Sequence, residues 1–326
     1  SSWPGNFLAN QPLSAFSVLA GFFTHLRYGK REAIGGAMPF LFRRMSKLVV
    51  LYLVTMTFAW ILHGVWTAEQ ANGAPSALTY FCFNIVPCIL GLNVWFSAIP
   101  TFFQSIDSTP AFLQSLAVNA IPVSSALWYI QNVMFCWLMY PLLRGLFTGP
   151  SRSPVQASAI LVLMWMLSLL PGIMFIASGV ASTWAVVQFL THFPPFMLPA
   201  FVAGVAACDL FHQEREAGTK SWHRQAGAVG EFMLVIILAL SCGLSVHVFI
   251  RVHMLSPLWA LVMFFFAVSS WQVEQSGEEP SGAMGVKWMC ETTFASTMVC
   301  VALSLERAVS AKLLLRDTFL FFVRNV

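Results

Sequence analysis

Hydrophobic positions run in long unbroken blocks along this chain, with no strict two-residue alternation. The blocks predict helices over 12–26, 48–66, 124–147, 156–177, 184–211, 228–250, 255–273 and 288–306. Most approach the ~20 residues that an α-helix needs to cross a hydrocarbon core of about 30 Å. The first is short, so it is either partial or extended toward its N-terminus. Pro194, Pro195 and Pro199 interrupt the block 184–211 and predict a kink or break there. A ninth apolar stretch, 78–106, holds Asn84, Pro87, Asn93 and Pro100, and is read as a span or a re-entrant segment. The segments 27–47, 66–123 and 208–227 are read as extramembrane or interfacial loops. The fold class is therefore all-α, a single polytopic transmembrane domain over 1–326 with about eight spans.

Composition narrows the solvent. Hydrophobic residues make up 58% of the chain and charged residues 9%, with a mean hydropathy of +0.75. Soluble domains carry roughly 25% charged residues. So few charges cannot coat 326 residues in water, whereas lipid asks for no polar coat. Backbone groups in lipid must bond internally, which leaves helices or a closed barrel, and the missing alternation excludes the barrel.

The positive residues suggest an orientation. If 78–106 does not cross, Arg27, Lys30, Arg31, Arg43, Arg44, Lys47, Arg144, Arg152, Arg215, Lys220 and Arg224 fall on one side. Positive charge is retained in the cytoplasm, so loops 27–47, 144–155 and 208–227 are expected there. The net charge of +4 suggests no nucleic-acid partner. Seven cysteines lie mostly within apolar blocks without metal spacing, and read as small packing residues. No metal is expected. Membrane lipids are expected partners, with other membrane subunits as a further class.

Several polar groups invite a chemical reading. Arg43, Arg44 and Lys47 open the block at 48, where they can hold the phosphates of an acyl-CoA-like donor or act as ordinary boundary anchors. His192, beside Pro194 and Pro195, reads as a lining or ligand residue or as a hydrogen-bonded structural histidine. No other cofactor is implied.

Three segments in order carry a family resemblance. Phe16-Ser17-Val18-Leu19-Ala20-Gly21-Phe22-Phe23 resembles the F-F-x-L-S-G-F-L helix of the membrane-bound acyltransferase 3 family. Phe42-Arg43-Arg44-Met45-Ser46-Lys47-Leu48, running on to Tyr52, is similar to its R-R-x-x-R-L-x-P-x-Y. Trp128-Tyr129-Ile130-Gln131-Asn132-Val133-Met134-Phe135-Cys136-Trp137-Leu138, followed by Pro141-Leu142-Leu143, resembles W-Y-L-x-x-D-M-Q-F-Y-L…P-L-L, the form of the eukaryotic, nose-resistant-to-fluoxetine-like branch. Leu198-Pro199-Ala200-Phe201-Val202-Ala203-Gly204 is similar to a fourth motif, L-P-x-F-L-x-G.

The resemblance implies a eukaryotic membrane enzyme of about ten helices, one before Ser1 and one after Val326. It implies transfer of an acyl group, not aminoacyl, to a lipid, glycan or small hydroxyl acceptor, with Arg43, Arg44, Lys47, Trp128 and Tyr129 facing substrate. The chain also departs from the pattern. Ala20 stands where the family has Ser, and Val133 where it has an acidic residue; an apolar side chain neither orients a base nor takes a proton. The family's catalytic histidine precedes the first motif, and His25 does not match its position. An accessory subunit that keeps the fold without the chemistry is the alternative expectation, and a transporter built on the broken helix 184–211 a third.

Overall fold

The computed structural model describes residues 5–29, 36–46, 49, 127–147, 153–177, 193–243 and 254–276. The described residues are helical, with no strand. Six helices carry the fold: α1 (Gly5–Tyr28), α2 (Leu127–Arg144), α3 (Pro154–Ala177), α4 (Pro194–Ala217), α5 (His223–Gly243) and α6 (Ser256–Ser276). A 3₁₀ turn, Gly145–Phe147, continues α2, and residues 37–46 are also helical. Three of the helices contain stretches long and apolar enough to cross a membrane: Pro154–Ile173, Pro194–Ala217 and Ser256–Val273. The expected spans 48–66 and 288–306, and the stretch 78–106, lie outside the described residues.

α4 is the hub. It packs against α1, α2, α3 and α6, while α5 packs along α6 and α1 also touches α6. The sequence explains both ends of α4. Phe193 takes an extended conformation at the N-cap, as a residue before proline must, and Pro194 and Pro195 fill the first helical positions, where a missing N–H costs nothing. The break expected around these prolines is thus a helix start. Pro199 sits inside the helix, with neighbouring helices around it. At the other end Gly218, with φ 85°, stops the helix in a conformation that other residues avoid.

The polar stretch 208–227 is mostly not a loop. α4 runs to Ala217 and α5 starts at His223, so the connection is 218–222. No glycine or proline lies between Gly204 and Gly218, and Cys208, Asp209, Phe211 and His212 are buried. Tertiary contact thus holds helical a stretch whose polarity suggested a loop. The expected loop 27–47 likewise holds the last residues of α1 and the helical residues 37–46.

Small residues let the hub close. A methyl group at Gly21 would collide with the Phe201 carbonyl oxygen, and one at Gly204 with the Val18 carbonyl. Ala200, Ala203 and Ala207 lie buried on the same helix. Such stripes allow helix backbones to approach where no hydrophobic drive separates protein from lipid.

Candidate functional site

The tight α1–α4 crossing sets where the next turn of α1 falls. Thr24 and His25 lie one turn after Gly21, and both are buried. The His25 Nδ1 lies 3.0 Å from the Tyr140 hydroxyl of α2. The His25 ring also packs against Phe147, at 5.7 Å between centroids, and against His212 of α4, at 6.1 Å. Gly29 lies beside the same imidazole, where a methyl group would meet Cε1 and Nε2 at 2.8 Å.

One residue back, Thr24 gathers a second set. Its hydroxyl oxygen accepts the Trp137 indole N–H at 3.2 Å and an Arg44 guanidinium N–H at 3.5 Å. The Arg44 guanidinium stacks over Tyr28 at 5.0 Å and over Trp137 at 5.3 Å. These contacts are cation–π in kind and strengthen with desolvation. Burial lowers the Arg44 pKa from its ordinary value, with desolvation the largest cause and Tyr28 opposing it. Arginine nonetheless stays protonated in proteins. Arg144 donates to the Gly29 carbonyl at 3.3 Å, so the C-terminal ends of α1 and α2 are tied together.

The aromatic packing that encloses the cluster is continuous. Phe40 joins Tyr28 at 5.0 Å and Tyr140 at 5.3 Å, and Tyr140 reaches Phe201 at 6.2 Å. Two histidines, two arginines, two tyrosines and a threonine thus meet in a mostly apolar surround, where polar interactions are stronger than in water. Among the described residues no three His, Cys, Asp or Glu side chains stand close enough to hold a metal ion.

The residues singled out from sequence fare differently. Arg44 enters the cluster, whereas Arg43, one residue earlier, is exposed. Trp128 and Tyr129 lie in the first turn of α2, about 12–14 Å along the helix from Trp137, which is the residue that meets Arg44. Lys47 and His192 lie outside the described residues. Ala20 lies partly buried against the core and Val133 is buried in it.

His25, Tyr140, Trp137, Thr24 and His212 were not singled out as a site. His25 misses the family's histidine position. His212 falls in the polar stretch 208–227, and the signal that places it on a helix is the lack of glycine or proline between Gly204 and Gly218. No protein-family model, curated protein or solved structure matches this chain.

Proposed function

We propose that this chain is a polytopic membrane protein of about eight spans, related to acyltransferase 3. In this reading it moves an acyl group from an acyl-CoA-like donor to a hydroxyl of a lipid, glycan or small molecule, and His25 is the general base. One observation carries the reading. The four segments with family-like motifs, far apart in sequence, supply the walls of a single buried cluster: Gly21 with Thr24 and His25, Arg44, Trp137 with Tyr140, and Phe201 with Gly204.

The chemistry follows from the imidazole. With the proton on Nδ1, His25 donates to the Tyr140 oxygen, and Nε2 holds the lone pair that takes the acceptor's hydroxyl proton. The acceptor oxygen attacks the thioester carbonyl, the carbon–sulfur bond breaks, and the departing thiolate takes the proton back from His25. In this reading Arg44 holds donor phosphates by charge. The base is then on α1 itself, which compensates for the apolar Val133 and Ala20. Bound lipids are expected partners, and the basic ends of the bundle are assigned to the cytoplasm.

The test is transfer or hydrolysis of radiolabelled acyl-CoA by the full chain in lipid nanodiscs. His25→Gln should lower kcat about 10²–10⁴-fold, the range for losing a general base. Arg44→Gln should mainly raise KM. Full turnover by His25→Gln would remove the mechanism.

A second reading has its own observation. α3 turns Val162, Leu163, Trp165, Met166, Leu170 and Ile173 outward, a face that suits another membrane subunit as well as it suits lipid. Under that reading the protein is a non-catalytic accessory subunit. It would co-purify in fixed stoichiometry with other membrane proteins and show no turnover.

A further inference from the structure

The connection between α4 and α5 builds a second polar feature, separate from the His25 cluster. A cavity of about 490 Å³ opens there, lined by Thr219, Lys220, Ser221, Arg224, Gln225 and Gln272. Its position along the bundle is fixed twice over. The last turn of α4 carries Glu214, Arg215 and Glu216, and the membrane-length stretch of α6 ends at Val273, so the cavity lies where both helices leave their apolar zone. Two tryptophans mark the same level. Trp222 stacks on Phe264 at 6.3 Å and Trp271 packs against His223 at 5.6 Å, as expected of aromatic residues at a membrane–water boundary.

The wall is pre-formed. The Lys220 backbone N–H donates to His223 Nδ1 at 3.1 Å, so the neutral ring carries its proton on Nε2, which faces Glu214 at 3.4 Å. Glu214 also holds the Lys220 ammonium at 2.7 and 2.9 Å. That pair fixes Lys220 while cancelling its charge. Arg224, exposed on the same wall, adds a second basic side chain. Gln272 of α6 brings a side-chain amide to the same lining. Basic side chains beside an amide suit a ligand that carries an anion and a hydroxyl together.

We infer that this cavity binds the headgroup of an anionic glycerophospholipid. The phosphate lies against Arg224 and the remaining Lys220 proton, and a headgroup hydroxyl accepts from the Gln272 amide N–H. Basic pockets between helices at the cytoplasmic boundary are suited to anionic headgroups. The inference needs the chain to sit in a membrane, and it is independent of whether His25 catalyses anything.

The test uses the full chain in mild detergent, exposed to equal amounts of phosphatidylglycerol and phosphatidylcholine with identical acyl chains, with native mass spectrometry counting the retained adducts. Wild type should retain phosphatidylglycerol in preference. Arg224→Gln, which removes one basic side chain near the headgroup, should cut that preference about fivefold. Gln272→Leu should reduce it further while leaving phosphatidylcholine unaffected. Arg215→Gln, at an exposed arginine just before the connection but outside the cavity, should change nothing. Equal retention of the two lipids by wild type, an unaltered preference in Arg224→Gln, or an equal loss in Arg215→Gln would each overturn the assignment. Displacement of the lipid by millimolar inorganic phosphate would also overturn it, giving the cavity to a free anion.

Discussion

α3 and α4 are both 24 residues long and both carry an internal proline, Pro171 and Pro199. α3 is the more apolar, with a mean hydropathy of 1.8 over its best stretch against 1.5 for α4. Yet only 28% of that stretch of α3 is buried in protein, against 72% for α4. In water this order would be perverse. In a membrane it is expected, because lipid tails solvate Leu and Met as well as a protein core does. What draws a helix inward is close backbone packing and polar contact, not greasiness. α4 has the small residues Ala200, Ala203, Gly204 and Ala207, and α3 presents Leu163, Trp165 and Met166 outward. Hydropathy selects the solvent, and residue size selects the partner.

The contrast can be broken most severely at the α1–α4 crossing. Gly204→Leu forces a side chain into the Val18 backbone, which cannot yield as a flexible side chain does. Overpacking of this kind costs about 3 kcal/mol or more. The variant should lose most folded protein, read as monodisperse yield and Tm in detergent; a normal Tm would show that the crossing is looser than described.

Substitution on α3 should sharpen the contrast by its dependence on chemistry. Leu163→Arg, near the middle of the outward face, should cost about 2.5–3.5 kcal/mol of insertion free energy if that face meets lipid. Met166→Ala beside it should stay within about 0.5 kcal/mol, as at any uncrowded surface. A glycosylation-based insertion assay measures both. An equally mild outcome for Leu163→Arg would put water on that face and defeat the comparison.

A smaller effect is expected inside the hub. Trp137→Phe keeps the ring under Arg44 but removes the indole N–H that Thr24 accepts. A loss of about 1 kcal/mol or less follows, since such bonds are modest in proteins and no stronger among membrane helices. Reversible unfolding in mixed micelles would register it. A loss several times larger would mean that the Thr24 set is a linchpin rather than one contact among many.

Much of the architecture was readable beforehand. The apolar blocks at 12–26, 124–147, 156–177 and 255–273 became α1, α2, α3 and α6 with shifts at the ends, because block length reports helix length directly. Errors came where polarity was taken for the end of a helix. Residues 208–217 carry Asp209, His212, Glu214 and Glu216 and still continue α4. Arg44 was recognisable from its place at a block boundary, but its partners were not. Thr24 and Trp137 are separated by 113 positions, and His25 and Tyr140 by 115. No periodicity within one helix reports on separations of that size.

By itself the sequence determined the helical class and helices long and apolar enough to cross a membrane, since both follow from local block length and the scarcity of charge. It also marked the basic ends of the blocks, because charge is a property of each residue alone. Only the tertiary structure decided that α4 lies inside and α3 outside, that His25 faces Tyr140 and His212, and that Lys220 and Arg224 line a shared cavity with Gln272. Those outcomes depend on which backbones can approach one another, and that turns on the absence of a side chain at Gly21 and Gly204.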